Sequence, residues 1–274
     1  MVVPVPYYFD HIMAMEALGI TPVLVPIGEG HAGIPDAADI AALLGPRTRA
    51  ILLVTPNNPT GAVIPSTVID EIAELSHRHS IALIVDETYA DLLSGGSAPH
   101  SLFSRSDWGE LLIHIYSFSK VFGMTGYRVG ALAAGQRVRE AALKLHDTMM
   151  ICAPHPAQLA ALYGLERLGD WAAANRAEIY LRQSTFASAL AAAGSPFRLE
   201  AAGGYFAWLR HPYPDRTDFD VARALFEEQH LLTLPGTVFG PGQEAYLRLA
   251  VANVDATDLE EVAQRLAAQG VESR

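Results

Sequence analysis

The chain has one cysteine, Cys152, in 274 residues, which excludes an intramolecular disulfide framework and fits a reducing compartment. It is also short of positive charge: 19 Lys and Arg stand against 30 Asp and Glu, a formal net charge of −11. A nucleic-acid surface needs a basic stripe, and this balance argues against one. No apolar run is long enough to span a bilayer, and no basic segment followed by an apolar one opens the chain as a signal peptide would. Internal repeats and low-complexity tracts are missing too. What remains is half hydrophobic and 18% charged, with a mean hydropathy of +0.19, the composition of a globular chain. The length is comfortable for two domains. These bounds predict a soluble, cytoplasmic α/β protein with neither nucleic acid nor membrane as a partner.

Apolar patterning divides the chain into an alternating first half and a helix-rich second half. Residues 2–8 read as the end of a strand and a turn, 11–18 as a short helix stopped by Gly19, and 23–25 as a short strand. Residues 36–44 predict a helix capped by Asp36, and 65–79 predict another with an apolar stripe at Val68, Ile69, Ile72, Ala73 and Leu75. Residues 49–54, 81–85 and 111–116 are continuous apolar runs, as expected of parallel strands covered on both faces, and 129–134 is apolar again. Alternating strands and helices argue for a parallel sheet with right-handed crossovers, where ligands collect at the carboxyl ends of the strands. Asn58, Asp86 and Lys120 each follow a predicted strand, so three polar residues converge on one edge. From residue 137 the character shifts to helices at 137–149, 156–168 and 171–193. Strands at 197–199, 205–210 and 246–251, with helices at 218–229 and 256–268, then suggest a smaller α+β domain. The expected division is a large domain over 1–145 and a small one over 146–274.

Lys120 stands in Ser117-Phe118-Ser119-Lys120, a stretch of small and polar residues between two core-seeking segments. Either it tips an exposed loop, or it is desolvated, its pKa falls, and its amine becomes a nucleophile able to form a Schiff base. Asp86 reads equally as a strand-end or capping aspartate, and Asn58-Pro59-Thr60-Gly61 as a turn. Arg248, in Leu247-Arg248-Leu249, is an arginine in an apolar strand and needs a partner, a salt bridge or a bound carboxylate. His11, His77, His79 and His114 show no metal-ligand spacing, so no metal is expected and they read as structural.

Pro56-Asn57-Asn58-Pro59-Thr60-Gly61, Asp86-Glu87-Thr88-Tyr89, Ser117-Phe118-Ser119-Lys120 with Gly126-Tyr127-Arg128, and Tyr246-Leu247-Arg248-Leu249, in this order, resemble the signature set of the class I/II aminotransferases. These are pyridoxal-phosphate-dependent enzymes of fold type I, with a mostly parallel sheet flanked by helices and a smaller α+β domain. The resemblance implies pyridoxal 5'-phosphate as cofactor and Lys120 as its Schiff-base lysine and the base of the proton shift. It implies Asp86 at the pyridine nitrogen, with Tyr89 and Asn58 at the phenolic oxygen. Ser117, Ser119 and Arg128 are implied at the phosphate, and Tyr8, or its neighbour Tyr7, against the ring face. Arg248 is implied at the substrate α-carboxylate, with Asn58 beside it and Gly203-Gly204 and Pro235-Gly236 lining the substrate side. A cis Asn58-Pro59 bond is implied as well, and Glu87 reads as structural. The implied reaction moves an amino group between an amino acid and a 2-oxo acid in a homodimer. A C–S β-lyase shares these motifs; an aminotransferase-like effector-binding domain and an inactive remnant are the further alternatives. The family's glycine-rich phosphate loop finds no match, so the resemblance also implies a chain lacking the N-terminal part, with a sheet edge or apolar face left uncovered.

Overall fold

The apolar runs become strands in the computed structural model, which describes residues 1–28, 30–93 and 98–269; the run ending at Val54 is fully buried, while that ending at Ser117 is mostly half-buried and that ending at Ala134 mostly exposed. In chain order these form β1 (Val2–Val5), α1 (Phe9–Ala17), β2 (Val23–Pro26), α2 (Ala37–Ala42), β3 (Ala50–Val54), α3 (Ser66–Arg78) and β4 (Ala82–Asp86). Then come α4 (Trp108–Leu111), β5 (Leu112–Ser117), α5 (Phe118–Val121), β6 (Gly130–Ala134), α6 (Gln136–Met150), α7 (His155–Arg167) and α8 (Gly169–Ala192). The chain ends in β7 (Arg198–Gly203), β8 (Phe206–Arg210), α9 (Asp218–Gln229), β9 (Leu234–Pro235), β10 (Tyr246–Ala250) and α10 (Asp258–Ala268). Two compact units divide it: residues 1–3, 35–56 and 64–176 form the first, and 4–34, 57–63 and those from 177 onward form the second.

In the first unit β1, β3, β4 and β5 lie side by side and parallel, and β6 closes the row antiparallel to β5. All five residues of β3 are buried, the consequence of a strand covered on both faces. Helix α3 buries Ile69, Ile72 and Leu75, one side of a 3.6-residue repeat. Asp36 caps α2 by accepting the Ala38 N–H at 2.7 Å, as the sequence suggests. At the carboxyl end of the sheet, the fully buried Thr55 donates its N–H to the Asp86 carbonyl at 3.0 Å, while its hydroxyl oxygen accepts from the Ile64 N–H at 3.0 Å. The ends of β3 and β4 are thereby tied together. On α6 no residue is buried, and Leu143, Leu145 and Met149 are each more than half exposed.

The second unit holds an antiparallel sheet in the order β7-β8-β10-β9. Its core joins Phe186 of α8, Leu209 of β8, Leu225 of α9, Leu247 of β10 and Leu259 of α10, all fully buried. Thr217 caps α9, accepting the Asp220 N–H at 3.1 Å. Asp218, buried in the first turn, takes both the N–H and the hydroxyl of Thr237 at 2.7 Å. Here β1 runs on beside β2, and Ile27 donates its N–H to the Val5 carbonyl at 3.1 Å. No helix among the described residues is long and apolar enough to cross a membrane.

A polar cluster is buried in the first unit behind the end of β4. Glu87 Oε2 meets His114 Nε2 at 2.6 Å, and Glu87 Oε1 faces His100 Nε2 at 3.3 Å. His100 Nδ1 accepts the Leu102 N–H at 3.2 Å, which places its remaining proton on Nε2. Burial pushes the His100 pKa below its ordinary value of 6.5, against the pull of Glu87.

Two stability measurements follow from this packing. Leu247→Ala empties a fully buried position and is expected to lower stability by about 2–5 kcal/mol, read as a drop in the urea midpoint. For His100, the unfolded chain binds the proton at a higher pH than the fold does, so this residue lowers stability as pH falls through about 6.5. Urea titrations from about pH 7.5 to about pH 5.5 are therefore expected to show the wild type losing stability faster than His100→Gln, by up to ~1.4 kcal/mol per pH unit.

Candidate active site

The β4–β5 register sets the first group of site residues, all in the first unit. Val85 lies opposite His114 and Asp86 opposite Ile115. Asp86, the last residue of β4, is buried, and its Oδ1 receives both the backbone N–H of Thr88 at 3.0 Å and the Thr88 hydroxyl at 2.7 Å. These bonds turn the carboxylate into an oriented acceptor, because two donors from one residue fix the direction of Oδ1. Tyr89 follows, buried, as the start of a short 3-10 turn over Ala90–Leu92. Strand β5 ends at Ser117, whose Oγ accepts the Ser119 N–H at 3.3 Å and caps α5. Lys120 therefore lies on a helical turn, where the sequence reading placed a loop. A four-residue helix has no periodicity to detect, and only the capping serine signals it. Lys120 is half-buried, and its Nζ stands 5.9 Å from the centroid of the Tyr89 ring, within cation–π range.

Ser119 is buried, and Arg128 is exposed. Arg128 has φ 54 and ψ 52, the left-handed region, and its Nη1 donates to the Thr125 carbonyl at 3.0 Å. A non-glycine residue there costs roughly 1–2 kcal/mol, and such positions concentrate at ligand clamps. Tyr116, on β5, donates its hydroxyl to Asp91; burial first, and then that carboxylate, raise its pKa well above the usual tyrosine range.

The second group belongs to the second unit. Arg248 Nη1 donates to Asn58 Oδ1 at 2.8 Å, joining two residues that the sequence reading assigned to the substrate. The guanidinium carbon stands 4.5 Å from the Phe206 ring centroid and 4.9 Å from that of Phe239. Strand alternation explains how an arginine is tolerated in an apolar run. Leu247 and Leu249 are buried, while Tyr246, Arg248 and Ala250 point to the other face. Asn58 is itself buried in the turn over residues 57–61, where the Gly61 N–H reaches the Asn57 carbonyl at 2.7 Å and the Asn58–Pro59 bond is cis, as the resemblance implies. Gly61, at φ +75, packs its backbone on Gly203; a Cβ there would meet Gly203 N at 2.2 Å. Gly203 thus seats the Asn58 turn. Tyr8 stands just before α1, its hydroxyl donating to Asp10 Oδ2 at 2.5 Å and its ring edge-on to His11. Tyr7 donates its N–H to the Phe239 carbonyl at 2.9 Å.

Sequence reasoning missed Thr88 and Phe206. Thr88 carries no signal beyond its place two residues after Asp86. Phe206 could have been found from alternation, since it pairs with Ala250 at the end of the strand that carries Arg248.

With this geometry in hand, comparison with known proteins is specific. The chain is 31% identical over 273 residues to the arginine–pyruvate transaminase AruH of Pseudomonas aeruginosa, spanning 97% of this chain and 67% of that protein. It is 29% identical over 268 residues to the aromatic aminotransferase ISS1 of Arabidopsis thaliana, spanning 95% of this chain and 66% of that protein. The crystal structure of the aromatic aminotransferase from Pyrococcus horikoshii OT3 superposes with a TM-score of 0.90 at 27% identity, covering 98% of this chain and 72% of that one. The chain spans about two thirds of the length of the curated relatives it matches. The fold is that of the type I transferases, a mostly parallel sheet flanked by helices with a separate antiparallel sheet. The profile of aminotransferase class I and II matches residues 1–266, and the chain belongs to that family.

Proposed function

We propose that this chain performs amino-group transfer between an amino acid and a 2-oxo acid, using pyridoxal 5'-phosphate attached through Lys120. The observation that carries the reading is the pairing of a buried, hydrogen-bonded Asp86 at the end of β4 with a half-buried Lys120 just past the end of the neighbouring β5. Family membership makes the cofactor the expected one, and the donor set in the first unit fits its chemistry: one primary amine, one oriented carboxylate, two hydroxyls and a guanidinium. Bound pyridoxal phosphate supplies an electron sink for the charge left when the substrate α-proton departs.

The residues then take these roles. Asp86 would hold a proton on the ring nitrogen, and Lys120 Nζ would carry the proton to and from the substrate carbon, tethered where it is needed. Tyr89 and Asn58 would donate to the phenolic oxygen. Ser117, Ser119 and Arg128 would hold the phosphate, for which a guanidinium offers paired donors that an ammonium lacks. Tyr8 would lie on the ring face. Arg248, oriented by Asn58 and flanked by Phe206 and Phe239, would take the substrate α-carboxylate fork to fork. The same reading expects a homodimer, and a cytoplasmic location with which the lone and exposed Cys152 agrees.

Adding pyridoxal phosphate to the purified chain is expected to give a visible absorption band that bleaches with an amino donor, and neither change in Lys120→Ala. A band that forms but never bleaches would instead support an effector-binding domain, and no band in the wild type would overturn the reading. Arg248→Lys is expected to lower kcat/KM for the amino acid roughly 10- to 100-fold, the cost of one charge-assisted pairing. Steady-state kinetics on the two enzymes check this, and an unchanged value would remove Arg248 from the substrate site.

A further inference from the structure

Glu87 plays no part in the chemistry above, yet it is only 4% exposed. It extends the β4–β5 ladder by one residue, donating its N–H to the Ile115 carbonyl at 2.9 Å. Successive strand side chains alternate faces, so Glu87 shares a face with Val85, His114 and Tyr116, and Asp86 takes the other. On that face Glu87 Oε2 meets His114 Nε2 at 2.6 Å, and Oε1 faces His100 at 3.3 Å. His100 is oriented from behind by the Leu102 N–H, and Phe103 closes on His114 edge-to-face with ring centroids 5.3 Å apart. Four residues on, Asp91 accepts the hydroxyl of Tyr116, the next residue of β5 on the same face. The segment from Asp86 to Leu92, which carries both Asp86 and Tyr89, is therefore pinned to β5 at two points.

We propose that Glu87, held by His114 with His100 packed beside it, is a positioning residue that sets the direction of Asp86. The inference rests on the aminotransferase reading, in which Asp86 faces the cofactor ring. A buried carboxylate persists only where it is paired, and its pairing here fixes the peptide that joins it to Asp86. Asp86 and Thr88 move as one piece, because Thr88 gives both of its donors to Asp86 Oδ1. Rotation of the Glu87 peptide would swing that piece away from the ring nitrogen, and displacements near 1 Å at a reacting group cost up to ~10²-fold.

The test uses Glu87→Gln, which keeps the shape and removes the charge, and His114→Gln, which leaves Glu87 charged without its nearest partner. Two quantities are read in each. One is hydrogen exchange of the Thr88 amide in the cofactor-free chain, relative to Val85 in β4. The other is the dissociation constant for pyridoxal phosphate, from absorbance. Selective acceleration at Thr88 by about tenfold, with affinity weakened about tenfold, is the expected result. Exchange that rises equally at Thr88 and Val85 would mean a purely structural role and overturn the proposal, as would no change in either quantity. Should Glu87→Gln fail to fold, His114→Gln decides alone. If the wild type binds no pyridoxal phosphate, the functional reading fails, and the Thr88 exchange ratio still decides whether Glu87 positions Asp86.

Discussion

The register between β4 and β5 is the constraint on which the first group of site residues depends. In a parallel ladder each side chain's face is set by its partner, and a slip of one residue would turn Asp86 to the opposite face. Two features oppose such a slip. A shift would expose or misplace Leu83 and Val85 of β4, which are almost fully buried. The polar ends are also individually tied, by Thr55 to the Asp86 carbonyl, by Glu87 to Ile115 and by Thr88 to the Asp86 carboxylate. Lys120 depends on the same register, because α5 starts directly from the last residue of β5.

The second unit solves a different problem, that of orienting an arginine on a strand whose neighbours are apolar. An amide oxygen orients a guanidinium without cancelling its charge, and Asn58 does this for Arg248 at 2.8 Å. Phe206 and Phe239 add cation–π contact, about 0.5–2 kcal/mol each according to exposure. The turn bearing Asn58 is in turn seated by the backbone contact of Gly61 on Gly203, a place no Cβ could occupy. Orientation of one side chain therefore reaches back to two glycines far apart in the sequence.

Much of this was legible from the residues alone, and the division between what was and was not is physical. Strands β3 and β4 and helices α3 and α9 announce themselves by uninterrupted apolar runs or a repeat near 3.6. The class of the fold followed from their alternation, and the family from four motifs in order. The short elements α5 and β9 were not legible, since they are too brief to show a period and lack the apolar runs that mark β1 and β2. Nor were pairings between distant residues. His114 and Glu87 read as structural one at a time, and only the β4–β5 register brings them to 2.6 Å. The amide partner of Arg248 lies 190 residues away, so no local pattern shows the pair, and only the resemblance put Asn58 at the same group.

The two groups also differ in how much freedom their geometry leaves, and the difference matches the chemistry proposed for them. A proton held on a ring nitrogen requires a carboxylate that does not move, and Asp86 is buried with its oxygen fixed by two donors from one threonine. A substrate carboxylate arrives and leaves with each turnover, which favours a side chain that is oriented but not enclosed. Arg248 is half-buried, on the face of β10 away from the core, with a long flexible stem and one neutral partner at Nη1. Arg128 stands between these cases: its backbone sits in a left-handed conformation, while its guanidinium is exposed and donates to the nearby Thr125 carbonyl. Rigidity is thus concentrated on the strand ends, at the residues proposed to face a cofactor, and latitude is left to the two arginines proposed to meet anions.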